Sequence, residues 1–405
     1  MPQLLPLADP TNPLVWLRAD RGCVGIGELT RFTFRGADRL ADAAKLWAQV
    51  VAMADIDDTV NLPTSGLMAF GTFAFDNESA AESVLIVPRL IVARNGNEAW
   101  VTQVSFEPIV ELQSVPPARA RTSWSGVTLD PSREDEAYLE SVTQATRRLE
   151  EGELQKVVLS RQLHATLSAD DDVRVALTRL AYAYQDCWTY AIDGMIGASP
   201  ETLVRHVYGR ISARVLAGTR SRQVDEAADL SARDELFASD KELSEHTFAI
   251  NSVTQALSPL VEELTVSEEP FALQLPNVWH LASDLSARPH EGVSTLDIVE
   301  ALHPTAAVAG TPTAEAVSTI RELEQFDRGR YAGAVGWIGS HNDGDWVIAL
   351  RCAQLGPVDG SSRSLTAYAG GGIVQGSVAK HEMRETVAKF QPIVHAFAPT
   401  AGSNA

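Results

Sequence analysis

Short β-branched runs and amphipathic stretches follow one another along this chain without a regular strand–helix–strand period. A doubly wound parallel sheet needs that period, so the pattern favours an α+β arrangement. Helical spacing marks 38–55, where Leu40, Ala43, Ala44, Trp47, Val50 and Val51 recur. Ser132 and Asp135 fit a capping box that opens a second helix, with Tyr138, Val142 and Leu149 on one face and an end near Gly152. Further helices are predicted at Val173–Tyr184, Leu230–Leu264, Thr295–Leu302, Thr313–Phe326 and Glu382–Phe397. Strands are predicted at Val84–Leu90, Ala99–Phe106, Thr189–Ile192, Leu203–His206, Arg330–Ile338, Trp346–Ala353 and Ser364–Gly370, and in the β-branched run KVVLSRQL that starts at Lys156. A stretch rich in Pro, Ser and Arg from Ser114 to Ser132 reads as a linker or long loop. It sets residues 1–125 apart from 126–397, with a flexible tail over 398–405.

Charge and cysteine usage narrow the function classes. With 53 acidic against 33 basic side chains the formal charge is −20, and no Lys/Arg run offers a phosphate-binding surface, so nucleic acid is excluded as a partner. An anionic substrate must then be held by a local cationic or metal site against the global field. Cys23, Cys187 and Cys352 are odd in number and far apart, which suits neither a disulfide framework nor a zinc site. The N-terminus has no basic segment, and no apolar run reaches the roughly 18–20 residues that cross a bilayer. A cytoplasmic protein without membrane contact, monomeric or dimeric, is expected.

Common catalytic motifs are missing: there is no G-x-x-x-x-G-K-[ST], H-E-x-x-H or G-x-S-x-G. Gly370, Gly371 and Gly372 lack dinucleotide-loop spacing and precede Ile373 and Val374, so they read as a glycine turn beside a strand unless a ligand carboxylate approaches their N–H groups. Glu382, Glu385 and Lys389 stand three and four residues apart, on one face of a helix. By spacing alone such an array is ordinarily a solvated face with an i,i+4 ion pair. Glu242 and Glu245 lie one turn apart on another helix, and Glu245 is the more unusual because it borders the apolar stripe at Phe248 and Ala249.

The ordered segments LQKVVLSR, GASPETLVR, VLAGTRSR, SDKELSEH, VWHL, LHPTAAVAGTP, FDRGRYAGAVGW, ALRCA, YAGGGIV and MRETVAKF resemble the chorismate-utilising enzyme family. They span about Leu154 to Phe390, while FGTFAFD and LIVPRL give the N-terminal third a looser match. The resemblance implies an anthranilate synthase component I-like fold, a large β-sandwich core with peripheral helices, and chorismate as substrate. It further implies Mg2+ held by Glu245 and Glu385 with support from Glu382, gripping the ring carboxylate. Lys389, Arg351 and backbone N–H groups near Gly218 and Gly370–Gly372 would hold the substrate's carboxylates. His280 would line the pocket, with Thr305, Ala307 and Val308 shaping it.

In the same terms Lys156 is the general base that activates water, and Glu201 the general acid that protonates the departing hydroxyl. Bringing a lysine from near 10.4 to about 7.5 asks its surroundings for roughly 4 kcal/mol, and Glu201 must keep a proton near neutrality.

Within the family, Ala217 replaces the nucleophilic lysine usual in aminodeoxychorismate synthases, and Lys156 is a base that anthranilate synthases lack. VWHL, LHPTAAV, FDRG and Arg384 resemble isochorismate synthases, with salicylate synthase the nearest alternative. That reading implies a place in menaquinone or siderophore biosynthesis. A non-catalytic chorismate-binding subunit is disfavoured because Lys156, Glu201, Glu245 and Glu385 are all kept. One departure is Ser244, where a basic residue or histidine is common; Glu245 stays aligned, and no supporting role is carried over to position 244.

Overall fold

The computed structural model describes residues 3–400 apart from 119, 121–122, 224 and 275–277, and of residues 219, 221, 241, 245 and 278 the backbone only. Residues 401–405 of the expected tail lie outside the described residues. Strands β1 (Leu14–Arg18) and β2 (Arg21–Phe34) come first, followed by helix α1 (Arg39–Met53) and strands β3 (Met68–Thr72), β4 (Ser83–Asn95) and β5 (Glu98–Gln103). Helix α2 (Glu136–Glu150) leads to β6 (Lys156–Ser168), α3 (Arg174–Ala183), β7 (Trp188–Ile192), β8 (Met195–Ser199), β9 (Thr202–Val207) and β10 (Arg210–Ser221). Then come α4 (Glu226–Ala238), α5 (Asp240–Leu257), β11 (Val261–Val266), β12 (Phe271–Gln274), β13 (Val278–Pro289) and α6 (Thr295–Leu302). The last elements are β14 (Gly310–Thr311), α7 (Thr313–Leu323), β15 (Ala334–Gly339), β16 (Gly344–Ile348), β17 (Cys352–Asp359), β18 (Ser362–Ile373) and α8 (Ala379–Phe397).

Antiparallel pairing joins the strands into two series that share β4. One runs β4–β2–β1–β7–β8–β17–β18–β6–β14. The other runs β4–β3–β15–β16–β9–β10–β13, with β11 and β12 on β13. The chain passes between the series in only a few residues at β8–β9 and again at β16–β17. Pro200 and Glu201 make the first crossing, and Arg351, with a left-handed φ of 48°, lies in the second. Backbone bonds lash the crossings together: Ile348 N donates to Glu201 O at 3.1 Å and Ala198 N to Arg351 O at 3.2 Å.

Alternating side chains of these strands meet in a core that includes the fully buried Trp16, Phe70, Phe73, Trp337 and Trp346. Trp47 of α1 joins them and donates its indole N–H to Gly339 O at 3.0 Å. Helix α8 buries Thr386, Phe390, Ile393 and Phe397, a stripe at helical spacing, against α3 and the back of β18. No helix among the described residues is long and apolar enough to cross a membrane.

Several local expectations are corrected. The helix predicted over Leu230–Leu264 is two helices broken at Ser239, whose side chain caps α5, and its end is strand β11. Trp346–Ala353 is two strands parted at the second crossing, and 330–333 precede rather than begin β15. Asp135 itself caps α2, accepting from Tyr138 N at 3.0 Å, while Ser132 turns back to Asp130, so the predicted capping box does not form. Strands β1, β2, β3, β10 and β13 escaped prediction because glycines, charges or buried-run composition blur their period. The stretch 104–131 carries no helix or strand among its described residues.

Candidate active site

The centre of the site is the end of β18. As far as Ala367 this strand pairs with β17, but among the described residues only β6 pairs with 368–373, leaving the other edge open. On that edge the Gly370 carbonyl accepts from Lys389 Nζ at 2.9 Å. Because N–H and C=O of one strand residue point the same way and alternate along the strand, the N–H groups of Gly370 and Gly372 face this edge too.

The glycines permit close approach from both faces. A Cβ on Gly372 would come within 3.0 Å of Lys156 Cε, and one on Gly370 within 2.7 Å of Leu159 O and 3.1 Å of the Tyr331 hydroxyl. On the opposite face, the point a Cβ on Gly371 would occupy is 3.6 Å from Glu382 Oε2 and 4.0 Å from Glu385 Oε1.

Lys156 opens β6, and its charge reaches Glu201 on the first sheet crossing. Burial pushes the Glu201 carboxyl above the ordinary glutamate range, and the positive charges of Lys156 and then Arg351 oppose the shift. The two residues expected to act as base and acid therefore share one electrostatic environment with Arg351. Their nearness arises from the strand crossings, since they are far apart in the chain.

His280 of β13 is partly buried, and its Nδ1–H donates to the Gly218 carbonyl at 3.3 Å. Burial lowers its pKa, against the bond to Gly218 and with the charges of Lys156 and Lys389 acting in the same direction as burial. Gly218 sits at the register shift between β10 and β13 with φ +80°. That left-handed conformation, together with a space walled by Leu281 and Glu242 at 3.2–3.3 Å, explains the glycine.

Glu382 and Glu385 project from the first turns of α8, positioned by the buried stripe behind them. Ser377 Oγ donates to Glu382 Oε1 at 2.8 Å, and Lys389 Nζ pairs with Glu385 Oε1 at 2.5 Å. Burial and then the negative charge of Glu385 raise the Glu382 pKa, against the pull of Ser377 and Lys389. Crowded carboxylates of this kind have the donor chemistry that Mg2+ takes, and the ion ordinarily completes its shell with water and substrate oxygens. Glu245 lies on α5 and its side chain is outside the described residues. Among those described, no three His, Cys, Asp or Glu groups form a metal cage.

Thr305, Ala307 and Val308 form the turn before β14, which Val158 N secures beside β6 by donating to Ala309 O at 2.8 Å. The Val308 side chain belongs to the core, so of the three residues expected to shape the pocket Ala307 is exposed and Thr305 half-buried. Tyr138, Glu242 and Tyr331 were not among the predicted site residues. Tyr138 reads as a core position of α2 and Glu242 as surface charge, so neither carried a local signal. Tyr331 lay inside a predicted strand.

A family description, chorismate binding enzyme, matches residues 14–398. The isochorismate synthase DhbC of Bacillus subtilis is 37% identical over 280 residues, covering 66% of this chain and 69% of the relative. Among solved structures, MenF, the menaquinone-specific isochorismate synthase from Escherichia coli, superposes with a TM-score of 0.75 at 24% identity, over 98% of this chain and 91% of that one. Anthranilate synthase component I from Streptococcus pneumoniae gives the same TM-score at 19% identity, covering 93% of each chain. These two likenesses establish the shared fold, and the match over nearly the whole length establishes the family: the chain belongs to the chorismate binding enzymes.

Proposed function

We propose that the protein is a magnesium-dependent isochorismate synthase of the cytoplasm, converting chorismate reversibly to isochorismate. The observation that carries the proposal is the placement of Lys156 next to the open glycine edge of β18, with its charge reaching a half-buried Glu201 whose carboxyl burial pushes above the ordinary glutamate range. Likeness to a relative named as an isochorismate synthase supports it.

Lys389, Arg351 and the outward N–H groups of Gly370 and Gly372 orient the substrate's carboxylates. Glu382 and Glu385, joined by Glu245, would hold Mg2+, which when bound neutralises the ring carboxylate. Lys156 in its amine form takes a proton from water as the water oxygen bonds to ring C2. Glu201 gives its proton to the C4 hydroxyl, whose C–O bond breaks and releases water. One water enters and one leaves, so the product is an isomer. Proton exchange with solvent then restores the Lys156 amine and the Glu201 acid. His280 lines the ring.

Purified protein incubated with chorismate and Mg2+ is expected to accumulate isochorismate. Sustained release of salicylate and pyruvate at neutral pH would assign it to salicylate synthesis instead. Chorismate binding without turnover would make it a non-catalytic binder.

A further inference from the structure

Tyr138 of α2 is only 3% exposed and its ring belongs to the main core, yet its hydroxyl has no hydrogen-bond partner among the described residues. A phenylalanine would fill that position without an unsatisfied buried hydroxyl, so the oxygen calls for a reason. It lies 3.7 Å from the point a Cβ on Gly371 would occupy, the same point that Glu382 Oε2 and Glu385 Oε1 approach at 3.6 and 4.0 Å. Three oxygens from two helices thus border the space that any side chain at 371 would fill. Ser377 already engages the other oxygen of Glu382, which leaves Oε2 turned to this point. Carboxylates only accept, whereas a phenol donates. A water over Gly371, farther out than that point so that it clears the α-carbon, would accept from Tyr138 and donate to Glu382.

We propose that Tyr138 is a positioning residue of the divalent-cation site, its hydroxyl donating to a cation-borne water over Gly371 rather than to substrate. The inference rests on the reading of Glu382 and Glu385 as that site. Mg2+ keeps several of its waters when bound to protein, and the groups that orient such outer ligands typically change metal affinity by 10–100-fold.

The test is Mn2+ binding by the intact protein, followed by the electron paramagnetic resonance signal of the free ion, with and without chorismate. Tyr138→Phe keeps the ring and is expected to weaken Mn2+ affinity by about 10-fold, with a matching rise in the Mg2+ concentration for half-maximal rate and kcat at saturating Mg2+ nearly unchanged. The metal-free variant should melt no lower than wild type, because it loses an unsatisfied hydroxyl and no packing.

Gly371→Ala places a methyl group at the shared point without removing a protein oxygen, and is expected to weaken Mn2+ binding as well. Wild-type Mn2+ affinity in a folded Tyr138→Phe protein overturns the proposal. So does a fall in kcat at saturating cation with affinity unchanged. Glu382→Gln and Glu385→Gln separate the two levels: if both bind Mn2+ as wild type does, the cation site itself is wrong. If they lose binding while Tyr138→Phe keeps it, only the role of Tyr138 is.

Discussion

A buried and a half-buried glutamate near β6 lead opposite lives. Glu324 accepts from Ser160 N and Oγ at 2.7 and 2.9 Å and from Arg328 Nη2 and Nε at 2.7 and 2.8 Å. Arg328 in turn donates to Val308 O and Val158 O and stacks over Phe75. Both carboxylate oxygens are engaged, and the pair pins α7, β6 and the turn before β14 to one another. Glu201 has no hydrogen bond to its carboxyl among the described residues, and Lys156 and Arg351 act on it only through space. The first carboxyl, held by four hydrogen bonds, fixes structure, whereas the second is held by none among the described residues, and burial pushes it above the ordinary glutamate range.

The largest way to break this contrast is Lys156→Ala or Glu201→Gln. Each is expected to lower kcat for isochorismate formation by about 10²–10⁴-fold while the thermal melt stays near wild type. Retained turnover, or a collapsed melt, would mean that Glu201 is structural after all. Glu324→Gln tests the other side: it leaves Arg328 buried and partly uncompensated, and should cost about 3–5 kcal/mol in denaturant unfolding. A loss below about 1 kcal/mol would remove the distinction.

Asp345, only 4% exposed, is a third acid that sharpens the comparison. Burial pushes its pKa from 3.8 up to about 6 despite Arg205, Arg21 and Arg18 nearby. The folded state therefore binds this proton more tightly than the unfolded chain. The cost is absent below about pH 3.8 and complete above about pH 6, reaching at most about 3 kcal/mol. Asp345→Asn should gain stability relative to wild type between pH 4 and pH 8 in urea titrations, and a pH-independent difference would contradict it.

The smallest effects separate two glycines. At Gly372 an added methyl meets the flexible Lys156 Cε, so Gly372→Ala should reduce kcat by about 10-fold with stability changed by less than about 1 kcal/mol. At Gly370 it meets the Leu159 carbonyl, so Gly370→Ala should cost about 1–3 kcal/mol of stability. Reversed outcomes would place the lysine away from the edge.

The helix bearing Glu382, Glu385 and Lys389, and the strand opening at Lys156, were legible because their signals are local. An i,i+4 stripe such as Thr386–Phe390–Ile393–Phe397 declares its face wherever the helix packs. Tyr138 was not legible as anything but core, because a buried tyrosine and a buried phenylalanine occupy the same place in a helical period. Strands β10 and β13 were missed since their partners, and so the burial of each face, are set by residues far along the chain.

What the sequence alone determined was the class of elements, the anionic surface with its need for local positive charge, and the family resemblance carried by ordered motifs. The tertiary structure decided that the chain makes short crossings between the two strand series at Glu201 and near Arg351, that β18 has no second partner beyond Ala367 among the described residues, and that α2 and α8 face one bare α-carbon at Gly371. Local spacing fixes which face of an element is apolar. Which elements share an edge depends on long-range pairing, and no residue's neighbours in sequence encode that alone.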